Sequence, residues 1–409
     1  MSNPIASRLQ ELSGSAEVTR SPDGLPRIAP RSSETMARVL ALAAGEGWSI
    51  RLEGRGSWCP SDAPADLIVT TIAMDRVVAV APHDLVCTVE TGVSLATLSL
   101  ALGEHGMWLP WDPPGLPDRS IGSIVATGTA GALREGFGPI RDQLLGCTIV
   151  TGDGRVLKPG GIVVKNVAGY DLTKIEAGAF GAYGVLTEVN IRLRARPEID
   201  QTHLAAGERD DLTRAARDLV GAGTEVAALE LMSPALGAHA NWTLAARILG
   251  PPELVRGEAT RLHELTTLNW VEVTEAQARS LWHRAARGTL TGPVSIRLGV
   301  LIEGLDQTID LLEERLDTGL LSAGAGSGTL RWSGNATADD LSLVRRIAAS
   351  REIPVTLERA PWDLRQAVGH FGAYREGVGG LVEKLRDVFD PARVMRVALE
   401  GAGSDEAGG

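Results

Sequence analysis

From Val185 onward the side chains alternate. Val185, Val189, Ile191 and Leu193, with Thr187 between them, take odd positions, while Glu188, Asn190, Arg192 and Arg194 take even ones. A strand repeats every two residues, so this stretch must be a strand with one face in a core. Immediately before it, Gly178, Gly181 and Gly184 recur at every third position. That spacing is too dense for a helix interior and suits a backbone that approaches another group closely or takes positive φ. Taken alone, such a loop reads most simply as a tight turn. It is preceded by Lys165-Asn166-Val167-Ala168-Gly169-Tyr170-Asp171-Leu172. Asp171 reads either as the N-cap of a short helical stretch to Ala177 or as part of the same close-approach site.

Two further glycine-rich elements lie upstream. Trp48, Ile50 and Leu52 alternate as a short strand that runs into Glu53-Gly54-Arg55-Gly56-Ser57-Trp58. Successive backbone N–H groups in such a turn form a nest that binds phosphate, and Arg55 and Ser57 add a charge and a hydroxyl. A Rossmann dinucleotide turn is excluded. Cys59 stands where the third glycine belongs, and Pro60 and Pro64 follow where that motif needs a helix. There is no G-x-x-x-x-G-K-[ST], so nucleoside triphosphate hydrolysis has no support. The third element runs from Pro113-Pro114-Gly115-Leu116-Pro117-Asp118-Arg119 through Ser120-Ile121-Gly122-Ser123-Ile124-Val125-Ala126-Thr127 to Gly128-Thr129-Ala130-Gly131. Its small residues leave backbone donors uncovered, against which a large planar cofactor can lie; the alternative is a tightly packed core strand.

In this order and at these separations, the strand, the G-x-G-S turn, the proline-rich loop, S-I-G-S-x-x-A-T-x-x-x-G and K-N-V-A-G-Y-D-L with G-V-L-T-E resemble the FAD-binding domain of the vanillyl-alcohol oxidase and p-cresol methylhydroxylase (PCMH) family. Within it they are most similar to the FAD-binding E subunits of bacterial glycolate oxidases. The resemblance covers residues 30 to 197 strongly and Leu381 to Val394, with Phe389-Asp390-Pro391, more loosely. It implies an α+β chain: a two-lobed PCMH-type FAD-binding domain over 1–197, an α+β cap domain with an antiparallel sheet over 198–380, a segment over 381–400 that returns to the first domain, and a disordered tail over 401–409. It further implies that Gly54, Arg55, Gly56, Ser57 and Trp58 hold the pyrophosphate. Pro114, Ser120, Ile121, Gly122, Ser123, Thr127 and Gly131 would line the flavin, and Gly184 and Val185 would approach the adenine end. The chain departs from the family at its C-terminal N-P-G-R, reading Arg393-Val394-Met395-Arg396 instead.

The chain has 409 residues and a net charge of −11, with its Lys and Arg scattered. It therefore lacks the electrostatic footprint of a nucleic-acid binder. No apolar stretch has the length of a bilayer span, and Met1 to Val18 hold no apolar run behind a basic start, so a cytoplasmic protein is expected, peripheral at a membrane only through partners. Cys59, Cys87 and Cys147 form no C-x-x-C pair, which fits a reducing compartment and leaves no cysteine-ligated iron-sulfur cluster in this chain. The seven histidines include no H-x-H or H-E-x-x-H, so no metal site is expected.

Ser33 is placed to cap a helix with Met36, Val39, Leu40 and Ala43 on one face, ending at Gly45. Leu67 to Thr71 and Leu85 to Glu90 read as strands, and Ser94 caps a helix with Leu95, Leu98 and Leu102 on one stripe. Leu145 to Val150 and Arg155 to Leu157 flank Thr151-Gly152-Asp153-Gly154 as a hairpin. Beyond Pro197, helices are expected over Asp210 to Val220, Pro252 to Leu265, Ile309 to Leu316, Thr337 to Ser350 and Leu381 to Phe389. Strands are expected over Val294 to Leu301 and Val355 to Arg359, with a loop over Ser322 to Gly328.

A flavin takes a hydride from a carbon bearing a hydroxyl or amine and passes electrons on. The resemblance implies an FAD-dependent oxidation of a 2-hydroxy acid such as glycolate, with FAD held non-covalently, and an assembly with a second FAD-linked subunit and an iron-sulfur subunit. Arg284, Arg297 and Arg331 are candidates to meet a substrate carboxylate. No catalytic base is identified, His283 and His370 being the histidines to test. Two alternatives stay open: a non-catalytic subunit that holds flavin or relays electrons, and a stand-alone oxidase of another alcohol.

Overall fold

The computed structural model describes residues 4–13, 17–162, 172–237, 240–288, 290–372, 374 and 377–399. The Lys165–Asp171 part of the motif above and the tail over 401–409 lie outside them.

The first lobe is a four-stranded sheet in the order Glu17–Arg20, Pro26–Ala29, Leu67–Thr70, Ile50–Glu53. Ile50–Glu53 runs parallel to Leu67–Thr70, so the chain must cross back over the sheet between them, and this crossing carries the Gly54–Trp58 turn. Helix Ser33–Glu46 covers the sheet with the expected stripe of Met36, Val39, Leu40 and Ala43. Its boundaries shift by one to two residues. The N-cap is Ser32, whose hydroxyl accepts from Thr35 N, and Gly47 at φ 71° ends the helix in the left-handed conformation that Gly45 does not supply.

The second lobe is a five-stranded sheet in the order Val77–Ala81, Val86–Glu90, Val185–Arg192, Leu144–Val150, Val156–Leu157. The alternating strand is its centre, antiparallel to both neighbours. Val189 and Ile191 pack on Leu98, Leu102, Ile121, Ile124 and Val125. Ser120–Gly131 differs from the expected uncovered or extended segment. Residues Ile121–Thr127 form a helix capped by the Ser120 hydroxyl, and its leading N–H groups are taken by Val93 O (from Ile121), Thr91 O (from Gly122) and Ser120 Oγ (from Ser123).

The remaining chain builds an eight-stranded antiparallel sheet: Val271–Glu272, Ile199–Gly207, Trp242–Gly250, Ala228–Met232, Leu320–Gly324, Thr329–Gly334, Val294–Gly299, Val355–Arg359. Ser322–Gly328, expected as a loop, is the end of one of these strands and a hairpin turn, in which Gly328 at φ 64° donates to Gly324 O. Helices Arg209–Gly221, Pro252–Leu265, Leu305–Arg315 and Ala338–Ser350 pack on one face through Leu212, Leu219, Leu262, Ile309, Leu312 and Val344. Because side chains alternate across a strand, Glu230, Arg297, Arg331 and Glu358 fall on the other face, which meets the second lobe: Arg331 donates to Ala130 O at 2.6 Å and Arg297 to Gly128 O at 3.5 Å.

The chain then returns. After helix Val378–Phe389, the buried Asp390 carboxylate accepts from Val394 N (2.9 Å) and Met395 N (3.0 Å). Ile50 N donates to Val394 O and Arg396 N to Ile50 O, so this segment adds a parallel bridge at the edge of the first sheet.

Candidate functional site

Between the lobes, with Arg365 and His370 in its wall, lies an open cleft that encloses about 1150 Å³, part of it continuous with solvent. Its floor is the turn that follows Ile50–Glu53. Gly54 has no room for a Cβ, which would stand 2.2 Å from Ser120 Oγ. That close approach docks the turn on helix Ile121–Thr127, and Thr70 Oγ1 pins Gly54 O at 2.8 Å. Gly56 sits at φ 71° facing open space, and the backbone N–H groups of Arg55, Gly56, Ser57 and Trp58 donate to no acceptor among the described residues. Such a run of free donors is an anion-binding nest.

Charge in the cleft divides into paired and unpaired groups. Arg51 is held by Asp23 at 2.6 Å and by Ser61 O, and Arg365 by Asp62. Arg55 and Arg396 also line the cleft, and neither meets a carboxylate among the described residues; Arg55 reaches only Gly92 O at 3.4 Å, and its Nε is buried without a partner. Trp58 Nε1 and both carboxyl oxygens of the fully buried Glu176 are likewise unpartnered. Burial pushes the Glu176 carboxyl up to about 8, so it holds a proton at neutral pH. Orphaned donors, two unpaired cations and a nest fit a large anionic ligand with a polar body, as a dinucleotide is.

His370 forms part of the wall. Its ring stacks on Phe180 at 3.8 Å, and Nδ1 lies 2.6 Å from Leu357 O, which can only accept, so Nδ1 carries the proton. Burial pushes this imidazole down to about 4, with Arg365 and Arg345 adding to the shift against Leu357 O.

The expected residues fall into three groups. Gly54, Arg55, Gly56, Ser57, Trp58, Gly122, Ser123, Thr127, Gly184 and Val185 all line the cleft. Pro114, Gly131 and Arg331 instead border a second, smaller cavity with Asp112, Glu230, Trp282 and Ser322. Ser120 and Ile121 line neither, serving as helix cap and core. Arg284 donates to Leu236 O and Gly237 O, away from the cleft, and His283 is exposed on the same helix. Arg331 and Arg297 share Glu358, at 2.9 and 3.3 Å. Residues not foreseen at the cleft are Arg51, Glu176, Phe180, Arg365 and the segment Met395 to Val397. The C-terminal departure from N-P-G-R thus still delivers an arginine, Arg396, to the cleft.

Residues 26–160 match the model of a family described as FAD binding domain, and the chain carries such a domain. Among relatives, glycolate oxidase subunit GlcE of Escherichia coli (strain K12) is 44% identical over 117 residues, 28% of this chain and 33% of that protein. Glycolate oxidase subunit GlcD of Bacillus subtilis (strain 168) is 29% identical over 209 residues, 50% of this chain and 44% of that one. The mitochondrial D-lactate dehydrogenase [cytochrome] of Arabidopsis thaliana is 37% identical over 178 residues, 42% and 30% of the two chains. The chain spans less than half the length of each of these relatives. The fold is that of 4-ethylphenol oxidase from Gulosibacter chungangensis (TM-score 0.72, 15% identity, 95% of this chain and 94% of that one). Chitooligosaccharide oxidase shares it (TM-score 0.70, 13% identity, 97% and 99%). Among the described residues no helix is long and apolar enough to cross a membrane.

Proposed function

We propose that this chain is an FAD-dependent oxidoreductase subunit that takes part in oxidising a 2-hydroxy acid, glycolate first among the candidates, to the 2-oxo acid. The observation that supports it best is the cleft itself, where a free-donor nest, two unpaired arginines and orphaned polar atoms meet in a chain similar to glycolate oxidase subunits and a D-lactate dehydrogenase. In this reading the nest at Gly54–Trp58 and Arg55 hold the pyrophosphate, Ser123 and Thr127 face the flavin, and Gly184 and Val185 lie toward the adenine. Bound FAD supplies two-electron chemistry. The chain's own residues bind it, exclude water through Trp58, Phe180 and the His370 ring, and keep His370 neutral with its proton on Nδ1.

The chain would work in the cytoplasm within an assembly that includes a second FAD-linked subunit and an iron-sulfur subunit as electron acceptor. A second reading, a subunit that holds flavin without turning substrate over, is favoured by one observation. The arginines proposed for a substrate carboxylate are engaged, Arg331 and Arg297 by Glu358 and Arg284 by backbone carbonyls. Anaerobic titration of the FAD-loaded protein with a panel of 2-hydroxy acids, following loss of flavin absorbance, separates the two. Bleaching by one of the acids supports the first, and a flavin untouched by all of them supports the second.

A further inference from the structure

Arg119 is wholly buried, yet among the described residues no carboxylate lies within ion-pair distance of it. Its guanidinium donates to neutral acceptors: Pro114 O at 2.8 Å, Ser123 Oγ at 3.2 Å, Ser123 O at 3.3 Å and Thr127 Oγ1 at 2.5 Å. Its Cζ stands 4.2 Å from the centre of the Trp58 ring. Ser123, Thr127 and Trp58 all line the cleft, so this charge lies directly behind the cleft wall. Two acidic groups lie close enough for their fields to reach Arg119: the Cys59 thiol, which burial keeps protonated, and Glu358, which is already bracketed by Arg297 and Arg331. A buried cation is costly without a counter-charge, and one kept so close to a ligand cleft acts across a low-dielectric layer on whatever charge develops there.

We propose that Arg119 is a positioning residue of the cofactor site, an electrostatic bias behind Ser123, Thr127 and Trp58 that favours the electron-rich, reduced state of the bound flavin. This rests on the reading of the cleft as the flavin site. Reduction adds two electrons to the flavin with at most two protons, and a fixed positive charge beside it stabilises the negative charge left on the ring system. Burial, which pushes the guanidinium down to about 9, still leaves it charged at neutral pH.

The test is the reduction potential of bound FAD, measured by equilibration with reference dyes, in wild type, Arg119→Lys and Arg119→Gln, together with the affinity for oxidised FAD. Both substitutions break the guanidinium's hydrogen-bond geometry, but only glutamine removes the charge. We expect Arg119→Gln to shift the oxidised-to-reduced equilibrium about tenfold toward oxidised flavin, a fall of about 30 mV for a two-electron couple, with Arg119→Lys close to wild type. Should Arg119→Gln not fold, Arg119→Met, which removes the charge but keeps an unbranched stem against the Trp58 ring, is expected to lower the potential in the same direction. Equal shifts in the lysine and glutamine variants, or unchanged potentials in variants that retain FAD, would overturn the proposal and leave Arg119 a packing residue. A wild-type chain that takes up no FAD would overturn the reading of the cleft, and this inference with it.

Discussion

Glu358 accepts a hydrogen bond from Arg331 Nε at 2.9 Å, both residues being buried. The contact lies at an irregularity in the ladder. Ser295 pairs with Arg359 and Ile296 with Leu357, which leaves Glu358 as the extra residue. Strand alternation sets Glu358 on the face away from Val355 and Leu357, toward Arg331 and Arg297, which are direct cross-strand partners of like charge. Burial opposes the charge of Glu358, but Arg331 and Arg297 hold its carboxyl below the ordinary value.

Glu358→Gln should therefore destabilise the chain by about 3–5 kcal/mol, because it strands the buried Arg331 and the partly buried Arg297, as read by denaturant unfolding at pH 7. Since the folded-state carboxyl titrates below the unfolded one, the stability it contributes is complete above the unfolded value and is lost as pH falls through the folded one. The wild type should lose its advantage over the glutamine variant in acid, and a difference that is independent of pH would argue against the pairing.

His370 gives a second acid-sensitive limb at higher pH. Its value of about 4 in the folded chain lies below the ordinary 6.5, so the folded state resists taking up a proton that the unfolded state accepts. Stability should fall as pH drops from about 6.5 toward 4. His370→Asn, which keeps a donor toward Leu357 O, should flatten that limb, and an unchanged slope in the variant would show the limb belongs to other groups.

Much of the frame can be read from local pattern, and the exceptions have physical causes. The stripe Met36, Val39, Leu40, Ala43 and the alternation after Val185 appear because one face is buried and the other is not. Ala228–Met232 and Thr329–Gly334 are buried at every position, so they carry no period of two to detect. The helix at Ile121–Thr127 was obscured because Gly122 and Ser123 lower helix propensity, while tertiary contact demands the glycine: a Cβ on Gly122 would meet Thr91 at 2.8 Å. In the cleft, the Gly54–Trp58 turn announces itself locally. Arg365, His370 and Arg396 join it from some 300 residues away, a distance in sequence that no spacing rule crosses.

The nest makes a graded prediction at one position. Gly56 is left-handed but faces open space, so Gly56→Ala should cost only the strain of that conformation, about 1–2 kcal/mol, and keep FAD. Gly56→Trp should fold yet fill the space beside the free donors and lose the yellow colour. Full flavin content in a folded tryptophan variant would remove this turn from the site.

The flavin should be held without a covalent bond. The Glu53–Trp58 turn has no histidine, and the nearest thiol, Cys59, is partly buried in the cleft wall, where desolvation pushes its pKa up and suppresses the nucleophilic thiolate. Acid precipitation should release the colour into the supernatant, and Cys59→Ser should bind FAD as the wild type does. Colour retained in the wild-type pellet would contradict this.

Turnover should separate from binding. The groups proposed to hold FAD belong to this chain, whereas a substrate carboxylate finds Arg331 and Arg297 already engaged, and His370, the one histidine lining the cleft among the described residues, is at about 4 a weak base at neutral pH. Oxidation also needs a route out for electrons, and the three cysteines here, Cys59, Cys87 and Cys147, are one short of the four thiolates that hold a common iron-sulfur cluster. The isolated, FAD-loaded chain should therefore oxidise glycolate slowly and gain activity when the proposed partner subunits are added. An artificial dye acceptor bypasses the electron route and reports on the chemistry alone. Glycolate-dependent dye reduction by the lone chain at about 1–10 per second or faster, the range of competent enzymes, would show that it is a complete dehydrogenase whose partners serve only to carry electrons away.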